Sequence, residues 1–202
     1  MKKSTIILLV IVAFFAIAGM NACSTYNGLV TKEETVQAAW QQVENQYQRR
    51  NDLIPNLVAV VKNYADFEKS TLEAVVNARA SATKVTMNVD NMTPENIQKY
   101  NEAQQAVSSS LARLLVVSEN YPDLKANQNF RDLQAQLEGT ENRIATERMR
   151  FNEVVQDYNT HVRKFPRNIW AGMFGFEKKA YFEMDEGADK APDVNTLFED
   201  KK

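Results

Sequence analysis

The sequence predicts an all-α protein in which four helices share one core behind an N-terminal membrane anchor. Three observations carry this. Apolar residues recur in steps of three and four over long stretches, the period of a packed helix face. The 202 residues include only six glycines and five prolines, too few for the tight turns of an all-β fold. Ile6 to Met20 is an unbroken apolar run.

That run opens the chain. Lys2 and Lys3 precede it, which holds the N-terminus in the cytoplasm and puts the rest across the membrane. Counted from Ser4 to Ala22 it can span a bilayer, which asks for about 20 residues; a signal-peptide core is shorter, roughly 7–15. Cys23 follows directly and offers a second reading, the lipid-modified first residue of a mature lipoprotein. Ala22 suits the position before such a cysteine, whereas Met20 and Asn21 do not. The uncleaved single-pass anchor is the favoured reading, lipoprotein attachment at Cys23 the second and a fully secreted form the third. All three place the domain outside the cytoplasmic membrane.

The first helical stripe is Val36, Trp40, Val43, Tyr47, Arg50, Ile54, Leu57, Val61, Tyr64, Glu68, Leu72 and Val75. Pro55 interrupts it. A proline inside a helix removes a backbone donor and clashes with the preceding turn, at about 3 kcal/mol. An unbroken rod from Val30 to Thr83 would reach roughly 80 Å and leave much of its stripe uncovered. A break or sharp bend near Asn51-Asp52 is therefore expected, with Asp52 capping the next helix. It would give four helices of comparable size. Thr93-Pro94-Glu95 starts the next helix by cap, first-turn proline and acid. Its stripe is Ile97, Tyr100, Ala103 or Gln104, Val107, Leu111, Leu114 and Val117 or Ser118. Pro122 ends it. The last long helix carries Phe130, Leu133, Leu137, Glu141, Ile144, Arg148, Phe151, Val155, Tyr158, Val162 and Phe165, and Pro166 closes it. Four parts result: residues 1–25 as anchor or signal segment, 26–166 as helical bundle, 167–183 as an aromatic segment, and 184–202 as an acidic tail expected to be disordered.

Composition narrows the function. The net charge is −2, and nothing in it suggests a nucleic-acid partner. One cysteine and one histidine, His161, exclude a disulfide framework, a cysteine-rich metal site and any site needing two imidazoles.

Particular residues resemble a known family. Tyr26-Asn27-Gly28-Leu29-Val30, Ala39-Trp40, Arg49-Arg50-Asn51-Asp52-Leu53-Ile54-Pro55-Asn56-Leu57-Val58 and Ala78-Arg79-Ala80 are similar to the LemA family of bacterial membrane-associated helical proteins. So are Glu141-Asn142-Arg143-Ile144-Ala145, Phe151-Asn152, Tyr158-Asn159 and Phe174-Gly175-Phe176. The resemblance spans nearly the whole chain short of the acidic tail, and Asp-Leu-Ile-Pro-Asn-Leu is its most specific part. It implies an up-and-down four-helix bundle on a membrane anchor and no catalytic residues. Cys23 departs from the uncleaved start expected of the family.

Candidate sites follow from chemistry in unexpected places. Arg50, Glu68, Glu141 and Arg148 occupy stripe positions, and Asp52 adjoins them, so these charges must pair or lie at the bundle's ends. The favoured reading is an interhelical polar cluster that fixes register; the alternative is a polar pocket between helices. No Glu-x-x-His spacing supports a di-metal site, so neither metal nor cofactor is expected. His161 is expected to be solvated or partly packed. Trp170, Phe174 and Phe176, with Met173, Lys178 and Lys179, either cap the bundle's end or form an interfacial or partner-docking patch. The expected role is a non-enzymatic scaffold or interaction protein of the cell envelope, bound to the membrane through its N-terminal segment and to an unidentified envelope protein. The alternatives are a lipid or small-ligand carrier, or an accessory to a membrane-associated enzyme.

Overall fold

The computed structural model describes residues 3–64 and 68–182. Among these the regular structure is helical: α1 (Lys3–Lys62), α2 (Lys69–Ala82), a 3-10 turn (Val89–Asn91), α3 (Pro94–Ser118), α4 (Pro122–Ala126), α5 (Gln128–Arg163) and α6 (Arg167–Phe174). The tail expected to be disordered at 184–202 lies outside the described residues.

Cross-helix contacts fix the directions. Lys32 meets Asp157 and Arg50 meets Glu141, so α5 runs antiparallel to α1. Trp40 packs on Tyr100 and Arg50 bonds Ser108, so α3 runs parallel to α1. Arg79 reaches back to Asn51, which makes α2 antiparallel to α1. The four long helices α1, α2, α3 and α5 go up, down, up and down.

The expected break at Asn51-Asp52 is corrected. Helix α1 runs unbroken from the anchor through Pro55 to Lys62, and the first turn of the bundle falls between Lys62 and Lys69. The stripe keeps its phase across the proline, with Arg50, Ile54, Leu57 and Val61 all buried. Glu68 lies just beyond the true break, ahead of the buried stripe residues Leu72 and Val75. It is exposed at the start of α2.

The chain tolerates Pro55 because the lost hydrogen bond is replaced. Pro55 cannot donate to the carbonyl of Asn51 four residues earlier, and an orphaned buried carbonyl is costly. The Arg79 Nε–H donates to that oxygen at 2.8 Å. Arg79→Met should therefore lower stability by about 1–3 kcal/mol. Pro55→Ala should recover much of that loss in the Arg79→Met background, because an alanine there restores the backbone donor. Thermal unfolding of the four proteins of this cycle in detergent checks it. Strictly additive effects would refute the replacement.

The core divides into two clusters. One gathers Leu29, Val36, Trp40, Val43 and Tyr47 of α1 with Tyr100, Ile144, Phe151 and Tyr158. The other gathers Ile54, Leu57 and Val61 with Val75, Val107, Leu111, Leu114, Phe130 and Leu137. On each of α1, α3 and α5 one polar stripe residue falls between them: Arg50, Gln104 and Glu141.

Helix α2 reaches only the level of Asn51, so the anchor-side half of its corner needs other cover. The loop after α2 supplies Met87, Val89 and Met92. An extended strap after α6 supplies Phe182, whose ring stacks on Trp40 and meets Phe151 edge-on. Two asparagines of α5 hold this strap. Asn159 exchanges a pair of hydrogen bonds with the backbone of Lys179, at 2.8 and 2.9 Å. Asn152 does the same with Phe182, both at 2.9 Å. Seven helical residues rise about 10 Å and three extended residues span about 10 Å, so the strap and the helix face share one repeat.

Gly175 turns the chain from α6 into the strap. Its φ is 79°, a left-handed conformation that favours glycine. The Phe176 N–H then donates to the Ala171 carbonyl at 2.9 Å, closing the helix end.

Candidate functional site

The charges expected on the stripes separate into one assembled group and three residues placed elsewhere. Arg50 is buried to 1% exposure, and its Nη1 donates to Glu141 Oε1 at 2.9 Å. Nη1 also donates to Ser108 Oγ at 2.7 Å. Nη2 donates to Gln104 Oε1 at 2.6 Å and to the Gln104 carbonyl at 3.2 Å. The guanidinium lies over the Tyr47 ring, 5.1 Å from its centre. Arginine suits this place because its planar fork offers several fixed donors. Helices α1, α3 and α5 meet at one side chain.

Asp52 is exposed and accepts from Gln48 Nε2, so it stands apart from this layer. Glu68 accepts from the hydroxyl of Thr71. Arg148 is half-buried, its guanidinium 4.9 Å from the centre of the Phe182 ring. Sequence reasoning did not single out Gln104 or Ser108 for the layer, nor Arg79 as the donor to the Asn51 carbonyl. The alternation between Ala103 and Gln104 on the α3 stripe was the available signal, and the fold chose the glutamine.

A cleft of about 450 Å³ opens beside the layer, lined by Tyr47, Arg50, Gln104, Ser108, Glu141 and Arg148 among others. The Nε of Arg50 is buried without a hydrogen-bond partner. Burial also holds the Tyr100 phenol far above its ordinary range, so it stays neutral. No group of three or more His, Cys, Asp or Glu side chains that could hold a metal ion occurs among the described residues. His161 lies on the side of α5, its Nδ1 2.9 Å from the Asp157 carbonyl and 3.4 Å from the Asp157 carboxylate. The hydrogen bond from Lys32 holds that carboxyl below the usual range.

The aromatic segment packs at the anchor end of the bundle. Phe174 and Phe176 meet the Tyr26 ring edge-on, at 5.2 and 5.8 Å between centres. Trp170 stacks on Phe174. Ala171 is buried in the anchor-side core, and Phe176 packs partly against it. Cys23 is exposed on α1, one turn before Tyr26. The apolar stretch before it is exposed along its length, with Ile6 to Val12, Phe14, Phe15 and Ile17 uncovered. It is long and apolar enough to cross a membrane.

Comparison with known proteins agrees with this architecture. Residues 39–196 match the LemA family. The chain is 27% identical over 207 aligned residues to Magnetosome protein MamQ 2 of Paramagnetospirillum magneticum, covering 94% of this chain and 75% of that protein. It is 26% identical to Magnetosome protein MamQ of Magnetospirillum gryphiswaldense, covering 87% and 71%. Protein LemA of Metamycoplasma hominis is 22% identical, covering 79% and 69%.

Proposed function

Since the chain belongs to the LemA family, we propose that it is a non-enzymatic scaffold or interaction module of the cell envelope. A single N-terminal span anchors it, and the bundle projects on the extracytoplasmic side. The observation that carries this is the continuity of α1 from Lys3 to Lys62, which joins anchor and bundle in one helix. Lys2 and Lys3 favour a cytoplasmic N-terminus. Glu141 is engaged by Arg50 and Ser108, and the single histidine, His161, by Asp157. The magnetosome role in the names of two relatives is one setting for such a scaffold.

Topology is tested by a Glu138→Cys variant in a Cys23→Ala background. A membrane-impermeant maleimide should label it in intact spheroplasts. Labelling only after lysis would place the bundle in the cytoplasm and sink the reading. Mass spectrometry of Cys23 in the wild-type chain distinguishes the lipoprotein form, which would carry a diacylglyceryl adduct.

The lining of the cleft favours a second reading, a small polar ligand beside Arg50: Gln104, Ser108, Glu141 and Arg148 converge there. Native mass spectrometry of protein extracted from membranes should then show a retained small molecule that Arg50→Met releases. An unliganded mass for both proteins would remove this reading.

A further inference from the structure

We propose that α6 and its flanks form an interfacial helix that lies on the bilayer beside the span and binds anionic lipid headgroups. The inference rests on the reading that α1 crosses the membrane. The segment contains two kinds of face. Trp170, Phe174 and Phe176, the residues the sequence points to, contact one another or Tyr26 and attach α6 to α1. The most exposed side chains are others: Phe165 is 80% exposed, Ile169 52% and Met173 70%, against 42% for Phe174. Ile169 and Met173, spaced by four, share one side of α6, and Phe165 stands in the turn that leads into it. Isolated exposed apolar residues need no explanation, but two on one side of a short helix with a third in the turn before it form a patch that does.

Their height relative to the anchor supplies the occupant. Lys3 to Ala22 rises about 30 Å, the thickness of a hydrocarbon core. Tyr26 stands four residues further on, about 6 Å above that boundary, within the headgroup layer. Phe174 and Phe176 touch Tyr26, so α6 is fixed at the depth where tyrosine and tryptophan concentrate in membrane proteins. Charge points the same way. Residues 163–182 contain five basic side chains and one acid. Lys179 is engaged by Glu33 at 2.8 Å, while Arg163, Lys164, Arg167 and Lys178 are exposed. An exposed apolar patch flanked by exposed cations, held at headgroup level, fits an anionic lipid surface. Lipidation at Cys23 in place of a span would leave α6 at the same height, because Cys23 is within one turn of Tyr26.

The test uses the full-length protein in vesicles of phosphatidylcholine with or without phosphatidylglycerol. An environment-sensitive fluorophore is placed, in a Cys23→Ser background, at Met173→Cys, at Phe14→Cys in the apolar stretch, or at Glu138→Cys on α5. Lipids carrying a quencher in the upper acyl chain report contact. Emission from position 173 is expected to be quenched at least twofold more than from position 138. Anionic lipid should increase that quenching, and Lys164→Gln, Arg167→Gln and Lys178→Gln together should abolish the increase. Quenching at 14 with none at 173 would overturn the proposal alone. Absence of quenching at both would overturn the membrane anchor and the proposal with it. Protection of position 173 in native envelope membranes but not in vesicles would assign the face to a protein, which also overturns it.

Discussion

Glu141→Leu should destabilise the fold by about 3–5 kcal/mol, lowering Tm on the order of 10 °C. The reason is asymmetry within the pair. Arg50 is 1% exposed and Glu141 38%, so removing the carboxylate strands a charge that water cannot reach. The remaining partners of Arg50, the Gln104 side chain and carbonyl and Ser108, are neutral. Arg50→Met should cost less, about 1–3 kcal/mol, chiefly for the buried acceptors of Gln104, because Glu141 can hydrate where it stands. The double variant Arg50→Met, Glu141→Leu should recover most of the loss of Glu141→Leu, since an apolar pair of similar volume replaces a buried ionic one at little net cost. Thermal unfolding in detergent of the three variants decides. A double variant less stable than Glu141→Leu alone would show that the layer contributes more than its charges cost.

The second large effect lies at the strap. Asn152→Ala and Asn159→Ala together remove four hydrogen bonds, at about 1 kcal/mol each. The expected result is local. The strap detaches, Phe182 leaves Trp40 and Phe151, and the bundle stays folded. Hydrogen exchange at the Lys179 and Phe182 amides should accelerate roughly 10²–10³-fold, with α5 unchanged, and tryptophan emission should shift to the red. Unchanged protection at both amides would mean that aromatic packing alone holds the strap.

Much of this architecture was written in periodicity. The stripes of α1, α3 and α5 name nearly every buried side chain, and Arg50 and Glu141 stood out as charges at core positions. Pro55 misled because its remedy, Arg79, lies 24 residues away on another helix; a helix propensity cannot see a donor supplied by the fold. Glu68 misled for a related reason. The stripe resumes beyond the break at Leu72 and Val75, both buried, while Glu68 falls on the exposed start of α2. Phe165 closed the α5 stripe on paper but is exposed, because that helix ends at Arg163. The strap left a signal that went unread: Phe151-Asn152 and Tyr158-Asn159 repeat an aromatic–asparagine pair at an interval of seven. That interval is two helical turns, and it matches an extended chain laid alongside.

The unbroken α1 has a mechanical consequence. Where Lys3–Ala22 crosses a bilayer, the forty residues after Ala22, up to Lys62, continue as one unbroken helix and form a lever about 60 Å long. A tilt of about 20°, ordinary for a span, would swing its far end sideways by roughly 20 Å. Tilt answers to membrane thickness, so the lean of the bundle would register the thickness of the lipid around it.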